Sequence, residues 1–197
     1  ASSPTPTGFG MAGLTYLGID VLRLPFIRHT SLPHEILHNW WGNGVYLSNE
    51  GGNWSEGLTT FMADYALREA QGEDAARAMR LDWLRGLSAL SPQAHDSLAR
   101  FGGRTHDASQ VIGYHKAALV FVMLRDRLGA ETFDRALRAF WLGHRHRRAG
   151  WNDLRAAFEK ASGRPLDRFF SEWVEGRSLA QPVIDAAVRR RDGLTLT

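Results

Sequence analysis

Apolar residues recur at helical spacing along most of this chain and at strand spacing only near its start. Leu58, Phe61, Met62, Tyr65 and Ala66 fall close to a 3.6-residue period, predicting a helix over about 53–70 that Gln71-Gly72 stops. Met79, Trp83 and Leu87 repeat the spacing within 73–90, where an aromatic on such a stripe reads as core. A long irregular stretch follows over 91–108. Next, about 109–128, comes a helix that is apolar on every side from Ala117 to Leu124, which predicts the most buried one. Three further amphipathic helices follow at 130–143, 151–162 and 166–174. Gly129, a basic link over 143–150 and Gly163-Arg164-Pro165 separate them. Ahead of all these, short apolar runs at 14–17 and 21–24 flank Gly18-Ile19-Asp20 and predict a small β-ribbon. The fold class is mainly α, with a short β element at the N-terminus.

One short helix departs from this pattern by carrying a polar centre, His34-Glu35-Ile36-Leu37-His38. Thr30 or Ser31 can cap it, Pro33 suits its first turn, and Gly42 and Gly44 can end it after Trp41. Positions four apart lie about 40° apart around a helix axis, so the two imidazoles project from one face, as one zinc ion requires. Glu35 stands about 100° round from His34, beside a metal rather than on it, where a carboxylate can take a proton from water. A catalytic zinc needs a third protein ligand. Glu56, eighteen positions beyond His38 and in the first turn of the next helix, completes a two-histidine, one-glutamate set. Asp64 is a candidate to orient a ligand histidine through its other ring nitrogen, the alternative being a plain surface or capping aspartate. The alternative for the whole segment is an amphipathic helix with its histidines hydrogen-bonded in the core.

Taken together, HEILHNWWGN, NWSEGLTTFMADY and VIGYHKAALVFVMLRDRLG resemble the catalytic domain of the M1 (gluzincin) zinc aminopeptidase family, over about 10–184. The resemblance implies a thermolysin-like helical catalytic domain with one Zn2+ per chain, held by His34, His38 and Glu56, and Glu35 as general base. It implies that Tyr114, within Gly113-Tyr114-His115-Lys116-Ala117, steadies the oxyanion, and that the substrate is a peptide. The family's stretch beside the substrate cleft corresponds to Gly10, Met11, Ala12 and Gly13, which are expected to bind substrate through an edge backbone. Where the family carries a glutamate that grips the amino terminus, this stretch has no carboxylate, so weak discrimination between free and acetylated peptides is expected. The interval from His38 to Glu56 is one residue shorter than the family pattern.

Composition narrows the rest. With 197 residues, 44% of them hydrophobic, the chain can bury one substantial core. The expected organisation is a lead-in over 1–8, a zinc metallopeptidase catalytic domain over 9–185, and the start of a linker or following domain over 186–197. Ala1 is not a methionine and 193–196 opens like a strand, so both ends read as cut and flanking domains of a longer chain are expected. The absence of cysteine excludes disulfides and thiolate metal sites. No apolar run reaches the length of a transmembrane segment. Lys116 and Lys160 are the only lysines among 24 basic residues, and the arginine clusters at 145–148 and 189–191 read as solvated helix ends and tail, not a nucleic-acid surface. Two rival functions stand beside hydrolysis: a zinc-binding domain that holds peptides without cleaving them, and a helical interaction module without metal.

Overall fold

The computed structural model describes residues 2–3, 8–24, 27, 31–103, 105, 107–177, 187–190 and 193–196. The lead-in at 1 and 4–7, the capping candidate Thr30 and the domain boundary near 185 lie outside the described residues. The N-terminal β element is a three-stranded sheet, in spatial order β1 (Ser2–Ser3), β3 (Leu14–Gly18), β2 (Gly8–Met11). β2 and β3 form an antiparallel hairpin with Met11 opposite Leu14 and Gly8 opposite Leu17. The expected partner run at 21–24 is not a strand, because Ile19–Leu22 forms one helical turn, α1. The true partner, Gly8–Met11, alternates glycine with Phe9 and Met11 and so lacks the continuous apolar signal of a strand.

The zinc-motif helix, α2 (Ser31–Leu37), is shorter than its sequence suggests. Beyond Leu37 the chain tightens, with Asn39 N–H bonded to Ile36 O at 3.0 Å and Trp40 N–H to Leu37 O at 2.9 Å. Trp41 then leaves the helix to bury its indole, and β4 (Trp41–Gly42) pairs with β5 (Val45–Leu47), which pairs with β6 (Arg148–Ala149). His38 therefore sits in a turn rather than inside the helix.

The helical body follows the apolar pattern closely. A continuous helix, α3, spans 55–70 and opens in its middle into a π-helical stretch, Thr60–Tyr65. Leu58, Phe61 and Tyr65 are buried as the period requires, whereas Ala66 is exposed and Ala63 is buried. Extra residues per turn in the π stretch shift the face by one position. α4 (Glu73–Ser88) lays Trp83 and Leu87 on the core. α5 spans 107–128, is π-helical over Val111–Lys116, and has almost every residue of its Ala117–Leu128 portion's first two turns buried. α6 (Ala130–His144), α7 (Trp151–Ser162) and α8, over 167–175, close the body. A short antiparallel pair, β7 (Ala187–Arg190) and β8 (Gly193–Leu196), ends the described chain.

Two features bring distant segments together. Trp41 and Trp54 bracket the loop between His38 and Glu56 and meet edge to face at 6.2 Å, and Trp54 Nε1 donates to Ala149 O at 2.8 Å. The second is a close crossing of α3 and α5, where a Cβ on Gly57 would collide with Ala117. Gly57→Ala should thus lower stability by about 1–3 kcal/mol despite its better helix propensity. Gly86→Ala, whose Cβ would meet Val111 at an ordinary 3.8 Å, should raise it by about 0.5–1 kcal/mol. Thermal denaturation of both variants checks the pair, and a Gly57→Ala melt at or above the parent's would contradict this packing.

Candidate metal centre

Three side chains converge above α2. His34 Nε2 and His38 Nε2 each lie 3.3 Å from the same oxygen, Glu56 Oε2. Donor atoms set about 2.0–2.2 Å from a tetrahedral zinc stand roughly 3.3–3.6 Å from one another, so these spacings fit that ion. No other group of three His, Asp or Glu side chains among the described residues comes as close together.

The remaining ring nitrogens are fixed. His38 Nδ1 lies 2.9 Å from Trp41 O; a carbonyl only accepts, so Nδ1 carries a hydrogen in either protonation state and Nε2 is the nitrogen that a metal could take from the neutral ring. His34 Nδ1 lies 2.8 Å from Asp64 Oδ2. On an ideal α-helix Asp64, eight residues past Glu56, would be rotated by about 80°. The π stretch of α3, bonded i→i+5, returns it to the face of Glu56. Asn53 sets the start of that helix: its Oδ1 accepts from Ser55 Oγ at 2.7 Å and Ser55 N at 3.0 Å. Tyr114 stands on the π stretch of α5 with its ring stacked on His34 at 6.1 Å.

A cavity of about 900 Å³ opens over these groups, lined in part by His34, Glu35, His38, Glu56, Asp64 and Tyr114. Of the four hairpin residues expected to bind substrate, Gly10 alone lines it; Met11, Ala12 and Gly13 occupy the exposed tip of the hairpin. Gly8 and Phe9 line it in their place. The reason is close packing of β2 on α2. A Cβ on Gly8 would come 2.6 Å from Glu35 Oε1, and one on Gly10 2.5 Å from His38 Cβ. Sequence reasoning also missed Asn43, which lines the cavity and donates to Gly10 O at 2.8 Å. Its only signal was its place just past the histidine turn.

The electrostatics are those of a cluster prepared for a cation. Burial alone would lower the His34 imidazole, but hydrogen bonds to Asp64 and Glu56 outweigh it and raise the pKa to about 10. His38 is raised similarly, its bond to Glu56 outweighing burial. Burial would lift the Glu56 carboxyl, yet the two imidazoles hold it down at about 2. Burial pushes Glu35 above its ordinary value, with His34 and His38 opposing. In the metal-free protein, imidazolium protons supply the positive charge that Glu56 pairs with. Zinc takes only the neutral ring, so its binding should release protons and tighten as pH rises towards about 10, where the His34 ring loses its own proton. Titration calorimetry in buffers of different ionisation heat checks this; zinc uptake with no net proton release would contradict it.

Comparison with known proteins agrees with this geometry. Residues 29–173 match the peptidase family M1 domain. The chain is 28% identical over 170 residues to aminopeptidase M1 of Arabidopsis thaliana, covering 81% of this chain and 18% of that one. It is 30% identical over 172 residues to aminopeptidase M1-D of Oryza sativa subsp. japonica, covering 82% and 19%. Among solved structures, the M1 zinc metallopeptidase from Deinococcus radiodurans superposes with a TM-score of 0.72 at 28% identity, over 92% of this chain and 39% of that one. The chain thus spans less than a fifth of the length of these curated relatives. With the domain matched over most of the chain and the fold shared with zinc metallopeptidases, the chain belongs to peptidase family M1.

Proposed function

We propose that this chain is the catalytic domain of a zinc-dependent peptidase, with one zinc ion held by His34, His38 and Glu56. The observation that carries the reading is the approach of both Nε2 atoms to one Glu56 oxygen at 3.3 Å. When bound there, zinc would polarise the scissile carbonyl and acidify water. Glu35, raised by burial and lining the same cavity, takes the proton of the attacking water and delivers it to the departing amine. The Tyr114 hydroxyl donates to the oxygen of the tetrahedral carbon as charge develops on it. Asp64 holds the His34 ring through Nδ1, and the carbonyl of Trp41 holds His38. One structural neighbour, an M1 zinc metallopeptidase from Deinococcus radiodurans, was solved with a Tyr-Ser-Ala substrate, which supports a peptide substrate here. The domain is read as spanning 9–185, with further domains supplied by a longer chain, as the length of the relatives suggests.

Glu35→Gln keeps the side chain's shape but cannot accept the proton. It should retain zinc and lose hydrolysis by about 10²–10⁴-fold. Tyr114→Phe should cost roughly 10²–10³-fold in kcat, also with zinc retained. Peptide turnover and metal content measured on the same preparations check both. A Glu35→Gln protein that hydrolyses at the parent's rate, or a Tyr114→Phe protein that loses its metal, would contradict these roles.

The carboxylates lining the cavity among the described residues are Glu35, Glu56 and Asp64; Glu56 is engaged by both imidazoles and Asp64 by His34, and Glu35 is assigned to the proton transfer. An ammonium entering a cleft needs a carboxylate to offset its lost hydration. Matched free and N-acetylated peptides should therefore differ little in kcat/KM on the full-length protein. A preference above ~100-fold for the free amine, about 2.7 kcal/mol, would sink this expectation.

A further inference from the structure

We propose that Phe101 is a positioning residue for Tyr114, its side chain fixing the orientation of the tyrosine ring in the cavity. The proposal rests on the reading of Tyr114 as the oxyanion donor. Phe101 belongs to the long irregular stretch over 91–108, of a length that a compact domain rarely keeps for connection alone. A single 3₁₀ turn, Leu98–Arg100, fixes its place there. Leu98 is buried in the main core, and the Phe101 N–H closes the turn by donating to Leu98 O at 3.2 Å. Phe101 is only 6% exposed, yet it does not belong to the continuous apolar core. Its burial therefore comes from packing elsewhere, against the tyrosine-bearing stretch of α5.

Three contacts define that packing. The Phe101 ring meets the Tyr114 ring edge to face, with 6.1 Å between centroids and 75° between planes. Its outer edge, Cζ and both Cε atoms, rests on the backbone of Gly113, so closely that a Cβ there would fall within the ring. Only glycine lets the ring come down onto α5 beside the tyrosine. The Phe101 carbonyl, for its part, accepts from the Asn53 N–H at 2.5 Å. Asn53 sets the start of α3, whose first turn carries Glu56. One residue thus joins the ligand-bearing helix through its backbone and the tyrosine-bearing stretch through its ring. Tyr114 lines the cavity and Phe101 does not, so its influence on a substrate passes through the tyrosine.

Tyr114 also stacks on His34, with centroids 6.1 Å apart and planes 17° apart, and Asp64 holds that imidazole at Nδ1. One neighbour is nearly parallel to the tyrosine ring and the other nearly perpendicular, so the two restrict it along different directions. Removing Phe101 frees a motion that His34 does not oppose. A hydroxyl that stabilises an oxyanion acts only within a narrow range of distance and angle. Its contact strengthens as charge develops, so a loosened ring lowers kcat rather than raising KM.

The test is a double-mutant cycle in the zinc-loaded full-length protein. Phe101→Leu removes the planar ring and leaves the backbone bond to Asn53. It is expected to lower kcat at least tenfold, with KM within threefold and zinc content unchanged. In a Tyr114→Phe background the same substitution is expected to cost threefold or less, because the hydroxyl it positions is already gone. Phe169→Leu, at a core ring of matching burial (7% exposed), is expected to stay within threefold of the parent in kcat. Should Phe101→Leu not fold, Phe101→Met carries the same expectations. A loss below tenfold in the parent, a further loss above threefold in Tyr114→Phe, or an equal loss in Phe169→Leu overturns the proposal. Crystal structures of the zinc-loaded parent and Phe101→Leu read the tyrosine without turnover. Its ring should turn or split between two positions in the variant, and an unmoved ring overturns the proposal as well. Full turnover in Tyr114→Phe would instead remove the reading of Tyr114 as oxyanion donor, an outcome the crystal comparison keeps separate from the hold of Phe101 on the ring.

Discussion

The close crossing of α3 and α5 at Gly57 and Ala117 is the constraint on which the site depends. Glu56 precedes that glycine by one residue, and Tyr114 precedes that alanine by three, so the depth of the crossing sets both side chains at once. A larger residue at either position would separate the helices and move the third candidate ligand away from the histidine turn. The surrounding aromatics hold the crossing from the other side. Phe61 meets Phe121 at a tilt and Phe133 edge to face, and Trp151 stacks on Phe121. Packing of this density transmits displacement rather than absorbing it. Hydrophobic burial therefore positions polar groups that contribute little to the core themselves.

The second organising element is the loop from His38 to Glu56, fastened by Trp41 and Trp54. Its two ends bear candidate metal ligands, and its tryptophans are buried in contact with each other and with Phe140. Burial of two indoles fixes the span between candidate ligands that are distant in sequence. The cost of burying the charges there is met by pairing: Glu56 with both imidazoles, and His34 with Asp64 as well.

Much of this was legible in the sequence, for a physical reason. The 3.6-residue period is imposed by burial of one helix face, and the long helices α4, α6 and α7 appear where that period runs. The His34, Glu35, His38 triplet is legible because its chemistry and its spacing point the same way. What escaped the sequence lies where local bonding overrides the period. The π-helical stretches in α3 and α5 shift Ala66 outward and bring Asp64 under His34, and no propensity announces an i→i+5 bond. The hairpin strand Gly8–Met11 was missed because its inward positions are glycines, selected by close approach to Glu35 and His38 rather than by hydrophobicity. Trp41 reads as the last helical residue, yet burying its indole and offering its carbonyl to His38 required it to leave the helix.

The central claim is that His34, His38 and Glu56 hold one metal ion in common. Its most direct test is anomalous diffraction at the zinc edge from crystals of the zinc-loaded protein. The account predicts one strong peak per chain, within about 2.0–2.2 Å of His34 Nε2, His38 Nε2 and a Glu56 carboxylate oxygen. A peak centred on other residues, or the three side chains turned apart with zinc in excess, would contradict it.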